Sequence, residues 1–219
     1  MSDKNLFIVG DVHGCYHTFN KLISHWNPEN EILIQVGDLI DRGNFTRQVI
    51  SLCKNLKNNH PKDSFFLMGN HEWMALNYFE GKEDHQWLKK FGRKILWDYE
   101  LNEIDFQQDL LWLKGLSLKW ENDFIFVSHA GISHSIFSEN PDHSEGLLWH
   151  KKELKKIEKV QVHGHKPHKE KNPKFSSESN SWNADSGACY GNGLSALKLN
   201  HKGEFLESVF IPTMQADIL

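Results

Sequence analysis

The stretch LFIVGDVHG at residues 6–14 decides the fold, because four apolar residues in succession run straight into Gly-Asp-Val-His. So short a run suits a strand better than a helix, and one that is apolar at every position suits a strand covered on both faces. The pattern recurs at ILIQVGDLIDRG (32–43), FFLMGNHE (65–72), FIFVSHAG (124–131) and VQVHGHKP (160–167). Between the first two strands Phe19, Leu22, Ile23 and Trp26 fall at helical spacing, and Val49, Ile50, Cys53 and Leu56 do so between the second and third. The resulting order, strand-helix-strand-helix-strand, predicts an α/β fold.

Beyond Glu72, the stripe Trp87, Leu88, Phe91, Ile95, Leu96 and Tyr99 predicts a helical insertion over about residues 73–115, its aromatics serving as core. Residues 166–182, with Pro167, Pro173 and a Ser/Asn cluster, read as an exposed loop. LSALKLN (194–200) and EFLESVFI (204–211) regain strand character, and with no internal repeat or long linker the expectation is one domain over 1–219. A chain of 219 residues can bury an adequate core unaided. Cys15, Cys53 and Cys189 are odd in number and share no ligand spacing, which weighs against a disulfide framework or a zinc knuckle. No apolar run approaches the ~20 residues of a membrane span, and MSDKNLFIVG lacks the apolar core of a signal peptide, so a soluble cytoplasmic protein without a membrane partner is expected. The net charge of −4 supplies no general attraction to nucleic acid. On oligomeric state the sequence is silent.

Chemistry gathers after the strands. Asp11 and His13 follow the first, Asp38 the second, Asn70 the third, His129 the fourth, and His163 or His165 the fifth. Taken singly, Asp11 reads equally well as a turn residue, Asn70 as a cap and His129 as a satisfied core histidine. Five in the same relation to five strands are another matter, since functional groups in open α/β sheets collect at the carboxyl ends of strands. Imidazole, carboxylate and amide oxygen without thiolate favour hard or borderline ions, Mn(II) first and Fe or Zn as alternatives. Two ions roughly 3.5–4 Å apart can share a water of lowered pKa and hold the oxygens of an in-line displacement at phosphorus, and a bridging carboxylate between them suits Asp38. His71 follows a candidate ligand and could protonate a leaving oxygen, with Asp41 holding its other nitrogen. For Asp41 the competing role is a salt bridge to a neighbouring cation. Arg42 offers a planar fork to two phosphate oxygens, or else pairs with a carboxylate.

The segments GDVHG, GDLIDRG, GNHE, HAG and GHKP, in this order, resemble the successive signatures of the phosphoprotein phosphatases within the calcineurin-like metallophosphoesterases, and in size the compact bacterial and bacteriophage-type members. The resemblance spans the chain from the first strand to NADSG (183–187). It implies a central β-sandwich flanked by helices, with Asp11 and His13 on a first metal, Asp38 bridging, and Asn70, His129 and His165 on a second. His165 is preferred to His163 because the family ligand is the His of a Gly-His-Thr-Pro segment, in which Lys166 here replaces Thr. It implies hydrolysis of a phosphomonoester by a hydroxide shared between the ions, favouring phosphoserine or phosphothreonine proteins, with phosphotyrosine in range. Symmetrical hydrolysis of diadenosine tetraphosphate, a phosphorylated small molecule, is the alternative. A metal-dependent nuclease would share the chemistry, but no basic groove interleaved with aromatics accompanies it. One departure matters: where such members carry a second phosphate-binding Arg after a Trp, LLWHKK (147–152) supplies His150, Lys151 and Lys152, and Lys151 is expected to substitute as a point charge. Lys155, Lys156 and Lys159 are expected to continue the run along a helix, as a solvated face in preference to a substrate-recruiting patch.

Overall fold

The opening strand β1 (Asn5–Val9) sends Leu6 and Ile8 into one core cluster and Phe7 and Val9 into another, which explains why it is apolar throughout. The computed structural model describes residues 3–82 and 85–219. In chain order the elements after β1 are α1 (Tyr16–Ile23), β2 (Glu31–Gln35), α2 (Thr46–Asn59), β3 (Ser64–Phe66), α3 (Asn70–Phe79), a π-helical turn (Leu88–Gly92), α4 (Arg93–Leu101), α5 (Phe106–Lys114), β4 (Lys119–Glu121), β5 (Ile125–Ser128), β6 (Val160–His163), β7 (Lys174–Ser176), β8 (Ser181–Asn183), β9 (Leu194–Leu199) and β10 (Phe205–Ile211).

Two five-stranded sheets form, ordered β10-β9-β1-β2-β3 and β4-β5-β6-β8-β7. In the first, β1, β2 and β3 run parallel, with Leu6 opposite Ile32, and β9 returns antiparallel with Leu197 opposite Ile8. In the second, β5, β6 and β8 are parallel. Leu6, Ile8, Ile32 and Ile34 face Ile125, Val127 and Val162 across the sandwich. Phe7, Val9 and Leu33 on the other face share a core with α1 to α5. All five strands read from sequence thus lie in the sandwich with their carboxyl ends leading into the candidate residues.

Two expectations fail. Residues 166–182 are not all loop, because β7 lies within them and β8 begins there, β8 beside β6 with Trp182 opposite Val162. The strands are only three residues long and sit among polar residues, so no periodicity betrays them; Trp182 stacks on Phe205 with ring centroids 5.2 Å apart. The lysine run at 151–159 is not helical either. Leu154 packs over Gly131, Lys155 N–H donates to the Ile132 carbonyl, and the Lys155 carbonyl accepts from the Gln161 amide at 2.7 Å. Those tertiary bonds engage backbone groups that a helix would pair internally. Within the run, Lys159 pairs with Glu121 at 2.7 Å. Among the described residues no helix is long and apolar enough to cross a membrane.

Candidate active site

The loops after β1, β2 and β6 turn sharply, and their backbone shows it. Eight non-glycine residues among those described have positive φ, and five of them are His13, Asp38, Asp41, Arg42 and His165. Conformations of this kind cost L-residues energy and persist only where their surroundings enforce them. Glu72 does much of the enforcing. Its buried carboxylate accepts the N–H groups of Asp38 (2.9 Å), Leu39 (2.8 Å), Ile40 (3.0 Å) and Gly69 (2.8 Å), tying the loop after β2 to the start of α3. Close approach matters as well: a Cβ at Gly69 would lie 2.2 Å from Asp38 Oδ1, and one at Gly164 would lie 1.9 Å from Asp11 Oδ1.

Two donor groups gather, His13 with Asp38 and His71, and Asp38 with His129 and His165, the ligand atoms in each lying within 4.8 Å of one another. Asp38 belongs to both. The imidazoles are oriented from behind by carbonyls that can only accept: Ile40 O faces His13 Nδ1 (2.9 Å), Val36 O faces His129 Nδ1 (3.1 Å) and Trp149 O faces His165 Nε2 (3.3 Å). Each therefore donates its proton outward and turns a lone pair inward. His129 Nε2 and His165 Nδ1 end 3.1 Å apart, each 2.9 Å from Asn70 Oδ1. Three lone-pair atoms facing each other without a proton between them suit a cation. The histidines stay neutral, burial pushing His13 and His165 down to about 3, with His129 adding to the effect at His165. Around Asp38 burial opposes ionisation, and in acid, where the imidazoles protonate, the charges of His129, His71, His13 and His165 favour the carboxylate, so its pKa lies below the usual range.

Asp11 lies outside both mutual groups. Its two oxygens take the His165 backbone N–H at 3.2 and 3.0 Å, and burial together with the Asp185 and Asp38 carboxylates raises its pKa well above normal. Crowding of buried carboxylates is what a multivalent cation relieves, so the donor set fits divalent ions of the imidazole, carboxylate and amide type. His163 is turned away, its Nδ1 3.0 Å from the Gly164 carbonyl.

Beside these groups His71 Nδ1 lies 2.5 Å from Asp41 Oδ2, while His71 Nε2 faces Arg42 Nη2 at 3.4 Å. Burial works against protonation of His71, yet Asp38 and Asp41 hold its pKa above the ordinary value. The exposed Arg42 donates to the Tyr190 hydroxyl and lies over the rings of Tyr190 (5.2 Å) and Phe91 (5.7 Å). Lys151 is exposed; burial is the main cause of the lowered pKa of His129 and His165, and the Lys151 charge adds a smaller push in the same direction. Sequence reasoning missed Glu72, Asp185, Trp87 and Tyr190. Glu72 had a signal, three residues after a Gly at a strand-to-helix junction, the acidic position of a capping box. For Trp87, whose helical spacing marks it as core, there was none.

The model of the family described as calcineurin-like phosphoesterase matches residues 4–197. The chain belongs to this family. It is similar to serine/threonine-protein phosphatase 2 of Escherichia coli (strain K12), 30% identical over 149 residues covering 66% of this chain and 62% of that protein. To serine/threonine-protein phosphatase C23G10.1 of Caenorhabditis elegans it is 32% identical over 152 residues, 65% of this chain and 32% of that protein. The match thus spans less than two thirds of either relative. Among solved structures, one described as a putative diadenosine tetraphosphatase superposes with a TM-score of 0.70 at 18% identity, covering 97% of this chain and 95% of that one. A cold-active protein-tyrosine phosphatase of a psychrophilic Shewanella gives 0.65 at 17%, covering 96% and 82%. At such identities these likenesses show the fold alone. The family's own description names phosphoesterase chemistry.

Proposed function

We propose that the protein is a metal-dependent phosphomonoesterase acting on phosphoserine and phosphothreonine in proteins, with phosphotyrosine in range. The observation that carries the dimetal reading is Asp38 shared between two adjacent donor groups. In this reading Asp11, beside the first group, would join His13 and Asp38 on one ion while His71 of that group is kept for the proton, and Asp38, Asn70, His129 and His165 would hold the other. Bound there, the pair supplies an activated water at neutral pH and neutralises phosphate charge. Mn(II) is the proposed metal. Arg42 grips phosphate oxygens with its fork, and Lys151 adds a point charge. His71, fixed by Asp41, delivers a proton from Nε2 to the departing oxygen. The protein-phosphatase names of the two sequence relatives support the substrate class.

A second reading, symmetrical hydrolysis of a dinucleoside polyphosphate, is favoured by one feature. Next to Arg42 the exposed Tyr190 ring borders a hollow of about 420 Å³ lined also by His168, Lys169 and Asn192, room for a base beside a cation. The test is turnover by chelated and metal-restored enzyme on a phosphoserine peptide, a phosphotyrosine peptide and diadenosine tetraphosphate. The expectation is that Mn(II) restores activity and that the phosphoserine peptide has the highest kcat/KM. Full turnover without metal would end the dimetal reading, and preference for the dinucleotide would replace the substrate class.

A further inference from the structure

We propose that Trp87, contributed by the helical insertion, is a positioning residue that acts on His71 through Asp41. The indole N–H of this fully buried residue points at both carboxylate oxygens of Asp41, 3.2 Å from Oδ1 and 3.1 Å from Oδ2. Asp41 Oδ2 is also the partner of His71 Nδ1. The Asp41 backbone is pinned separately, its N–H donating to Thr46 Oγ1 at 3.2 Å. The indole therefore fixes the rotation of the carboxylate, and the carboxylate fixes the rotation and tautomer of the imidazole.

A buried tryptophan needs some acceptor for its N–H, so the bond alone would be unremarkable packing chemistry. The local backbone argues for more. Immediately after Trp87 the chain makes a π-helical turn, Leu88–Gly92, a form that is rare and concentrated at functional sites. The turn carries Gly92 under the indole, where a Cβ would sit 2.5 Å from a ring carbon, and it presents Phe91 to the site. Phe91 lies 4.7 Å from the His71 ring and 5.7 Å from the Arg42 guanidinium. Tyr78 and Phe79 of α3 hold the indole from the other side, at 5.5 and 6.0 Å. One short segment of the insertion thus contacts His71, the carboxylate that orients it and the phosphate-gripping arginine. The insertion sets the geometry of proton delivery.

This rests on the reading of His71 as the group that protonates the leaving oxygen, and the experiment separates the two. An alkoxide leaving from phosphoserine needs a proton, whereas p-nitrophenolate departs without one. With metal content and melting temperature checked, kcat/KM is measured on a phosphoserine peptide and on p-nitrophenyl phosphate for wild type, His71→Asn and Trp87→Phe. Removing His71 should cost ~10²–10⁴-fold on phosphoserine and far less on p-nitrophenyl phosphate. Trp87→Phe should reproduce the asymmetry more weakly, about tenfold on phosphoserine against about twofold on the aryl ester. Because Phe leaves space behind, the benzothiophene analogue of Trp introduced at position 87, with sulfur in place of N–H and nearly the same volume, should behave as Trp87→Phe does. If His71→Asn shows the asymmetry while both position-87 variants slow the two substrates equally or not at all, Trp87 is packing and the inference is wrong. If His71→Asn itself shows no asymmetry, the acid reading falls and takes the inference with it.

Discussion

Glu72→Gln changes one atom and should cost far more than such a substitution usually does. Oε2 of the carboxylate accepts from Asp38 and Gly69, and Oε1 from Leu39 and Ile40, all between 2.8 and 3.0 Å. Whichever oxygen becomes the amide nitrogen, two buried N–H donors then face another donor. Each orphaned donor costs about 1–3 kcal/mol, so the variant loses roughly 2–6 kcal/mol. Against a typical net stability of ~5–15 kcal/mol this is a large fraction. For a chain of this size the melting temperature should drop by roughly 5–20 °C, at about 2–4 °C per kcal/mol. The assay is calorimetric or circular-dichroism melting of metal-free protein, since bound metal would mask the loss by mass action. It is run at pH 8: burial and the Asp38 carboxylate raise the Glu72 pKa, the N–H groups of Ile40 and Gly69 offset part of the rise, and the net value is about 7. At pH 8 the side chain is the anion and both oxygens accept; because folding raises this pKa, wild-type stability falls as pH rises through about 7, so wild type and variant are compared at the same pH. Melting within about 2 °C of wild type would refute the assignment of Glu72 as the anchor of this loop, given the ~1–3 kcal/mol expected per orphaned donor.

Asp38→Asn should lower metal content by elemental analysis more than Asp11→Asn, because Asp38 alone belongs to both donor groups; equal content in the two variants would count against a bridge. His165→Ala should lose one ion and nearly all activity, while His163→Ala keeps both, since His163 faces the Gly164 carbonyl; the reverse pattern would move the ligand by two residues. Arg42→Ala should slow phosphoserine and p-nitrophenyl substrates by similar factors, the phosphoryl group being common to both, and unequal factors would give Arg42 a role at the leaving group. Tyr190→Phe removes the hydroxyl that accepts from Arg42, and should raise KM several-fold, about the net worth of one ordinary hydrogen bond at an exposed site, with kcat little changed; a fall in kcat alone would contradict it.

In the first sheet β1 and β2 were legible because they are buried on both faces, so that runs such as Leu6 to Val9 are apolar throughout. The donors were legible for a related reason: parallel strands end on one side, so Asp38, Asn70 and His129 share an edge although 91 positions separate the outermost two. What stayed hidden depends on contacts made at a distance. Trp182 gains its strand by pairing with Val162 and stacking on Phe205. Lys155 loses its helix to bonds with Ile132 and Gln161. Trp87 has the spacing of a core residue and the packing of one, and its link to Asp41 lies in the direction of a single N–H. Hydrophobic periodicity reports which face is covered, and says nothing about where a buried polar atom points.

The backbone of the site tells the same story from the energetic side. Left-handed conformations at His13, Asp38, Asp41, Arg42 and His165 cost about 1–2 kcal/mol each relative to ordinary ones, a sum comparable with the net stability of a whole domain. Metal binding cannot be the sole compensation, because the turns are also held by bonds within the protein. The Asp38 carbonyl accepts from Val12 and His13, the His13 carbonyl from Gly43, the Gly14 carbonyl from Phe45, and the Glu72 carboxylate from four donors. Asn44, two residues beyond Arg42, is fastened to the far end of the chain by bonds to the carbonyls of Ala216, Asp217 and Leu219. The strain is distributed through a lattice of hydrogen bonds that enlists the Asp11 and Asp38 carboxylates, which accept the His165 and His71 N–H groups, and leaves out the inward-facing lone pairs of the imidazoles. Those lone pairs stay free to meet a cation, and the protein can hold them converged before one arrives.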